Sequence, residues 1–241
     1  MSTGLLALVG GDEFNPGNEE QDRLLAGAAG PGPAFVIPTA AARQDPSASV
    51  AHAIRWFKQF GLGVRELPVL KPADAASADL ARRARGGGFF YLVGGDPGLV
   101  AKVLCGSLVW AAIFEAWRGG AALAGSSAGA MVLGSHTLIR ARWPNHVNRR
   151  PVEALGLLPG TAVLPHFETF GHKWIESAQA AAPELKLLGI DERSAAIWSD
   201  GGWHATGPGA ITVIRGTRVS RFISGTKVIG LPVPARILPT Q

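Results

Sequence analysis

Ser127 stands at the centre of Gly125-Ser-Ser-Ala-Gly129, a literal G-x-S-x-G in which a hydroxyl is flanked only by small residues. This is the pattern of a nucleophile elbow, a strand-to-helix turn so tight that only Gly, Ala or Ser fits beside the serine. Glycine tolerates the positive φ and close backbone approach that such a turn demands. The surrounding stretch, Ala122 to Gly134, reads as a strand that stops at these small residues and restarts as a helix. The geometry lifts the Ser127 hydroxyl above a sheet and leaves neighbouring N–H groups at a helix N-terminus, where negative charge is favoured. Alone the motif is weak, because small residues after a strand also make plain turns.

A serine nucleophile needs a base to take its proton and a third group to orient that base. Among six histidines, His166 has the best setting: it follows the strand-like run Thr161 to Leu164 and Pro165, which puts it at a carboxyl strand edge. His172, at a predicted helix start after Gly171, is the second choice, and His52, His136, His146 and His204 have no comparable context. Between the elbow and Glu153 there is no acid, and Asp191-Glu192 is another strand-end pair. A Ser, His, acid order argues against the α/β-hydrolase fold, where the acid precedes the histidine.

The elements that must hold these groups come from short apolar runs bounded by Gly, Pro and Asp, alternating with helix-compatible stretches. This alternation marks βαβ units and a mainly parallel sheet. Leu5 to Val9, Ala34 to Ile37, Gly63 to Leu67, Gly88 to Val93 and the elbow strand read as strands. Between them lie helices near Glu19 to Ala29, Ser47 to Phe60, Ala75 to Ala84 and Ser107 to Trp117. Gly94-Gly95 and the elbow then fall at the carboxyl ends of two strands of one sheet, where open α/β folds place their sites. The segment Ser135 to Pro151 has no acidic residue and reads as an excursion partly covering the site. A helix from about His172 to Ala182 and a strand Leu187 to Ile190 follow, then four runs that alternate like hairpin strands, from Ala195 to Ile223. The Pro-rich tail from about Leu231 is expected to lie extended on the surface. The fold expected is one α/β domain over residues 1–241, a mainly parallel central sheet with helices on both faces and a C-terminal β-hairpin region.

With 47% hydrophobic and 17% charged residues, the chain can bury a large core and is neither disordered nor coiled. The uncharged apolar run Leu108 to Phe114 falls short of the roughly 20 residues that span a bilayer, so no membrane partner is expected. The N-terminus lacks a basic region and reads as a first buried strand, not a signal peptide. The single cysteine, Cys105, excludes an internal disulfide and a cysteine metal cluster; no metal or cofactor is expected, and a cytoplasmic location is. The net charge of +5 is scattered except at Arg140, Arg142, Arg149 and Arg150, so no nucleic-acid partner is expected. Those guanidiniums suit a carboxylate-bearing substrate.

Gly125-Ser-Ser-Ala-Gly-Ala130, Gly156-Leu-Leu158, Pro165-His-Phe167, Gly171-His172, Ala182-Pro-Glu-Leu185 and Gly189-Ile-Asp-Glu192 occur in order and at a shared spacing. In this the chain resembles the dipeptidase E and cyanophycinase family of serine peptidases from about Leu5 to Arg215. Pro165 to His172 and Ala182 to Leu185 are closer to dipeptidase E, and Asp191-Glu192 looks more like cyanophycinase. The resemblance implies a class I glutamine amidotransferase-like (flavodoxin-like) sheet with Ser127 as nucleophile, His166 as base and Glu192 as acid. It also implies an oxyanion hole from the N–H groups of Ala128 and Gly95. A family preference for aspartyl peptides makes Arg140, Arg142, Arg149, Arg150 and His172 substrate-binding candidates. Two departures point away from cyanophycin: Asp96-Pro97 stands where cyanophycinases carry Asp-Gln, and Glu168 to Trp174 replaces their arginine-rich run.

The function implied is cleavage of an amide in a small peptide by an exopeptidase or dipeptidase, with a homodimer admitted as its assembly. The alternative is a non-catalytic or regulatory binding module that keeps the fold, against which the joint presence of Ser127, His166 and Glu192 speaks. A glutaminase would need a cysteine at the elbow, where Cys105 does not lie.

Overall fold

Ser127 follows a strand that is flanked on both sides by parallel neighbours. The computed structural model describes residues 3–141, 147–199 and 201–238. The first half runs β1 (Leu6–Val9), α1 (Glu19–Gly27), β2 (Ala34–Ile37), α2 (Pro46–Lys58), β3 (Val64–Glu66), α3 (Pro72–Ala75), α4 (Ala78–Arg85), β4 (Phe89–Leu92), α5 (Pro97–Leu104), α6 (Leu108–Arg118), β5 (Ala122–Ser126) and α7 (Ala128–Leu133). The second half is richer in strands: β6 (Gly134–Arg140), β7 (Arg149–Glu153), β8 (Leu158–Leu164), α8 (Ile175–Ala181), β9 (Lys186–Ile190), β10 (Ala195–Ser199), β11 (Gly202–Thr206), β12 (Ala210–Arg215), β13 (Arg218–Ile223) and β14 (Lys227–Val228).

Helix starts follow local chemistry. Asp45, Ser77, Asp96 and Ser107 each accept a backbone N–H of the first turn of α2, α4, α5 and α6, and Pro46 and Pro97 open α2 and α5 with a preset φ. Strands β1, β2, β4 and β5 are buried along their whole length, as their unbroken apolar runs require. Successive side chains still go to opposite faces: Leu6 and Leu8 join one core cluster, Ala7 and Val9 another.

The strands form two sheets. The larger has the order β14-β11-β10-β1-β5-β4-β2-β3 and the smaller β13-β12-β9-β8-β6-β7. In the larger sheet β1, β5, β4, β2 and β3 are parallel, while β10, β11 and β14 extend it antiparallel beyond β1. In the smaller, only β6-β8 and β8-β9 are parallel. The expected parallel arrangement holds for the β1-β5-β4-β2-β3 part of the larger sheet, whereas the second, mostly antiparallel sheet is not foreseen, because a short apolar run encodes burial but not the sheet it joins. The hairpins β10-β11 and β12-β13 match the expected C-terminal region.

One cluster packs α1 and α2 on the larger sheet, a second fills the space between the sheets with α5 and α6, and a third packs α8 on the smaller sheet. Trp110 and Trp117 of α6 are fully buried in the middle cluster. Within the segment read as an excursion, the described residues pair as the antiparallel strands β6 and β7, and residues 142–146 lie outside the described residues. The described part of the tail beyond Leu231 is tied down: Trp203 Nε1 donates to the Pro232 carbonyl and Ala235 N–H to that of Leu157. Among the described residues no single helix is long and apolar enough to cross a membrane.

Candidate active site

Ser127 links β5 to α7 with φ +47° and ψ −113°, a conformation that a non-glycine residue adopts only under constraint. Its neighbours explain how it is tolerated. A Cβ on Gly125 would lie 2.4 Å from the Gly129 carbonyl oxygen, and one on Gly129 would lie 2.1 Å from that of Leu92. Only glycine lets α7 close onto β4 and β5 here.

The histidine comes from the other sheet. Beyond β8, Pro165 leads into His166, which has φ +48°. Its backbone N–H donates to the Gly10 carbonyl at 2.7 Å, and its own carbonyl accepts the N–H groups of Thr169, Phe170 and Gly171. This knot at the end of β8 turns the imidazole towards the elbow. His166 Nε2 lies 3.1 Å from Ser127 Oγ, and His166 Nδ1 lies 2.7 Å from Glu192 Oε1. An ionised carboxylate can only accept, so the Nδ1 proton points at Glu192 and Nε2 is free to accept from Ser127.

Of the strand-end acids, Asp191 has other duties: its buried carboxylate accepts the Ala210 N–H at 2.9 Å and faces Arg221 at 3.5 Å. Glu192 is the one beside His166. Glu168 reaches back to accept the Glu192 backbone N–H with both oxygens, at 3.0 and 3.1 Å, and burial pushes the Glu168 carboxyl above its ordinary pKa. Glu168 lies in the run that departs from the cyanophycinase pattern.

A cavity of about 970 Å³ opens over Ser127 and His166, with Gly95, Asp96 and Pro97 on one rim. Arg43, Lys102, Arg140, Arg149 and Lys173 line it, against the single acid Asp96, so the described part of the wall is cationic. Arg43 faces Asp96 at 3.6 Å. Met131, Ile139 and Trp174 supply apolar surface. From His166 a column of flat groups runs along the wall. Phe170 stacks on the imidazole at 4.8 Å, Trp174 follows at 5.5 Å, and the Arg149 guanidinium lies 4.0 Å from the Trp174 ring centroid. Arg149 Nε is buried without a hydrogen bond, and burial together with Arg140 lowers this group to about 10, which leaves it cationic at neutral pH.

Ser127, His166, Glu192 and Gly95 thus come together, and Arg140 and Arg149 line the same cavity. Ala128 is buried as the first residue of α7. Arg150 is exposed on β7 and His172 is exposed with Nδ1 on the Phe167 carbonyl; neither lines the cavity. Arg142 and His146 lie outside the described residues. Unforeseen were Glu13, whose Oε1 accepts the Gly94 N–H at 2.7 Å, and Phe170 and Trp174, whose spacing of four after His166 is the one signal that could have found them.

The pattern of peptidase family S51 matches residues 5–206. The chain belongs to peptidase family S51. Cyanophycinase of Trichormus variabilis is 30% identical over 220 residues, 88% of this chain and 74% of that protein. Cyanophycinase of Synechococcus elongatus is 33% identical over 189 residues, 74% of this chain and 57% of its own length. The crystal structure of a peptidase from an acI-B1 actinobacterium superposes with a TM-score of 0.80 at 30% identity, over 94% of this chain and 96% of that one. A candidate peptidase E from Listeria monocytogenes shares the fold at a TM-score of 0.59 and 19% identity, over 91% and 98% of the chains.

Proposed function

We propose that this S51 chain is a serine peptidase that hydrolyses an amide bond in a small acidic peptide, with a class I glutamine amidotransferase-like arrangement of the parallel strands. The observation that carries the reading is the unbroken line from Ser127 Oγ through His166 to Glu192. Ser127 Oγ attacks the scissile carbonyl carbon while His166 Nε2 takes its proton, and the imidazolium is stabilised by Glu192. His166 then gives that proton to the leaving amine, which frees an acyl-enzyme. Water, deprotonated by His166, attacks the ester and releases Ser127. The N–H groups of Ala128 and Gly95 are read as the donors to the tetrahedral oxyanion. Removing one such donor costs about 10²–10³ in kcat.

The cationic wall supports an acidic substrate, and Arg149 is its best-held cation: its plane is fixed on Trp174 and its Nε has no internal partner. An aspartyl exopeptidase or dipeptidase fits such a wall. Cyanophycin itself, the polymer for which the relatives are named, is a poorer fit, since Pro97 has no N–H to offer and Glu168 is committed to the Glu192 backbone. A fluorophosphonate probe tests the core of the reading: wild type should be labelled and Ser127→Ala should not. Hydrolysis of aspartyl, isoaspartyl and neutral dipeptides then tests the substrate; equal labelling of Ser127→Ala would sink the nucleophile.

A further inference from the structure

The ladder between β4 and β5 ends at the pair Leu92 and Gly125. Beyond it the two chains must still be held in register, because one carries Gly94-Gly95 and the other Ser126-Ser127. Glu13 spans that gap. Its Oε1 accepts the Gly94 N–H at 2.7 Å and its Oε2 accepts the hydroxyl of the fully buried Ser126 at 2.8 Å. A Cβ on Gly94 would meet Glu13 Oε1 at 3.0 Å and Ser127 Cβ at 3.3 Å, so the loop lies close against both the carboxylate and the nucleophile.

The carboxylate is itself firmly presented. Glu13 sits between Asp12 and Phe14, which both have positive φ, +55° and +61°. Such a turn persists only where its surroundings fix it. Asn15 and Asn18 donate to Asp12, Arg193 pairs with the Asp12 carboxylate at 2.6 Å, and Phe14 is buried against Tyr91 and Phe57.

We infer that Glu13 is a positioning residue: it replaces the missing rung between β4 and β5 and so sets the height of the Gly95 N–H over Ser127. This rests on the serine peptidase reading above. The reach of the side chain and its two hydrogen bonds do the work, and the negative charge is incidental. A glutamine keeps both ties, because its oxygen accepts from Gly94 and its amide donates to the Ser126 hydroxyl, which can accept as well as donate. An aspartate keeps the charge but is one methylene too short to span both partners.

The test is the rate of Ser127 labelling by a fluorophosphonate, resolved into kinact and KI, with folding checked by thermal melting. Loss of an oxyanion donor costs about 10²–10³ in rate, so Glu13→Asp, which displaces one, should lower kinact by about 10- to 100-fold and leave KI within about twofold. Glu13→Gln should stay within about threefold of wild type, as its hydrogen bonds are retained. Ser126→Ala cuts the same tie from β5 and should slow labelling without adding to the Glu13→Asp effect. Wild-type kinact in Glu13→Asp, equal slowing in Glu13→Gln, or full additivity with Ser126→Ala overturns the inference. Failure of the wild type to label overturns the peptidase reading beneath it.

Discussion

Gly11 lies against the imidazole of His166: a Cβ built there would come within 2.3 Å of Cε1 and 2.4 Å of Nε2. Gly11 also has φ +116°, a region that L side chains rarely adopt. The space for the ring is thus made by an absent side chain at the end of β1. Gly11→Ala should push the imidazole off Ser127 and reduce probe labelling by at least about 100-fold, the scale of a lost base. The secondary structure measured by circular dichroism should be retained. A labelling rate within a few-fold of wild type would show that the ring does not depend on this gap.

Arg149 is expected to govern preference and not chemistry. Arg149→Met keeps an apolar stem on Trp174 and removes the charge. A charge-assisted hydrogen bond contributes about 1.5–3 kcal/mol, so kcat/KM for an aspartyl dipeptide should fall about 10- to 100-fold. Neutral dipeptides should be hydrolysed unchanged. Because the guanidinium is lowered only to about 10, the wild-type preference should be flat across neutral pH and fade as pH rises through that value.

Asp22 gives a pH dependence of stability that is separate from the site. It is fully buried, accepts the Trp56 Nε1 proton at 2.7 Å, and is raised from 3.8 to about 7, chiefly by burial and further by Glu13 and Glu19. Between those values the folded chain holds a proton that the unfolded chain has lost. Stability therefore declines as pH rises from about 4 to about 7, by at most about 1.4 kcal/mol per pH unit from this group. Asp22→Asn, which stays neutral, should remove that slope in urea unfolding measured from pH 4 to 8. An unchanged slope would mean that Asp22 ionises in the folded state as it does in water.

Gly129 sets how closely α7 can approach β4, since a Cβ there would stand 2.1 Å from the Leu92 carbonyl oxygen. Gly129→Ala should cost about 1–3 kcal/mol by overpacking, read as a lowered urea midpoint. It should also slow Ser127 labelling, because the elbow moves with the helix.

What could be read in the sequence is what local sterics dictate. The elbow was legible because small residues crowd a single turn, and His166 and the Asp191-Glu192 pair because each follows a short apolar run. Asp191 and Glu192 could not be told apart on residue type alone, since their difference lies in Ala210 and Arg221, which β12 and β13 bring in from afar. Glu13 was invisible for the same reason. In a Gly-Gly-Asp-Glu turn it reads as a solvated acid, and its partner Gly94 lies 81 positions away. The β6-β7 hairpin gave no period-two signal because β6 is irregular between Gly134 and His136 and β7 carries Arg149, Arg150 and a proline. Nothing in a four- to seven-residue run says which sheet it will join, so the second sheet went unread.

The hydroxyl of Ser127 rides on the larger sheet, whereas His166 and Glu192 both follow strands of the smaller one. The 3.1 Å contact between Ser127 and His166 is consequently a vernier across the seam where the two sheets meet. Base and acid both follow strands of the smaller sheet, so a slip along the seam leaves their bond whole while it breaks the link to the serine and the tie from the His166 N–H to the Gly10 carbonyl. Mild denaturant should then silence the serine while every strand is still paired.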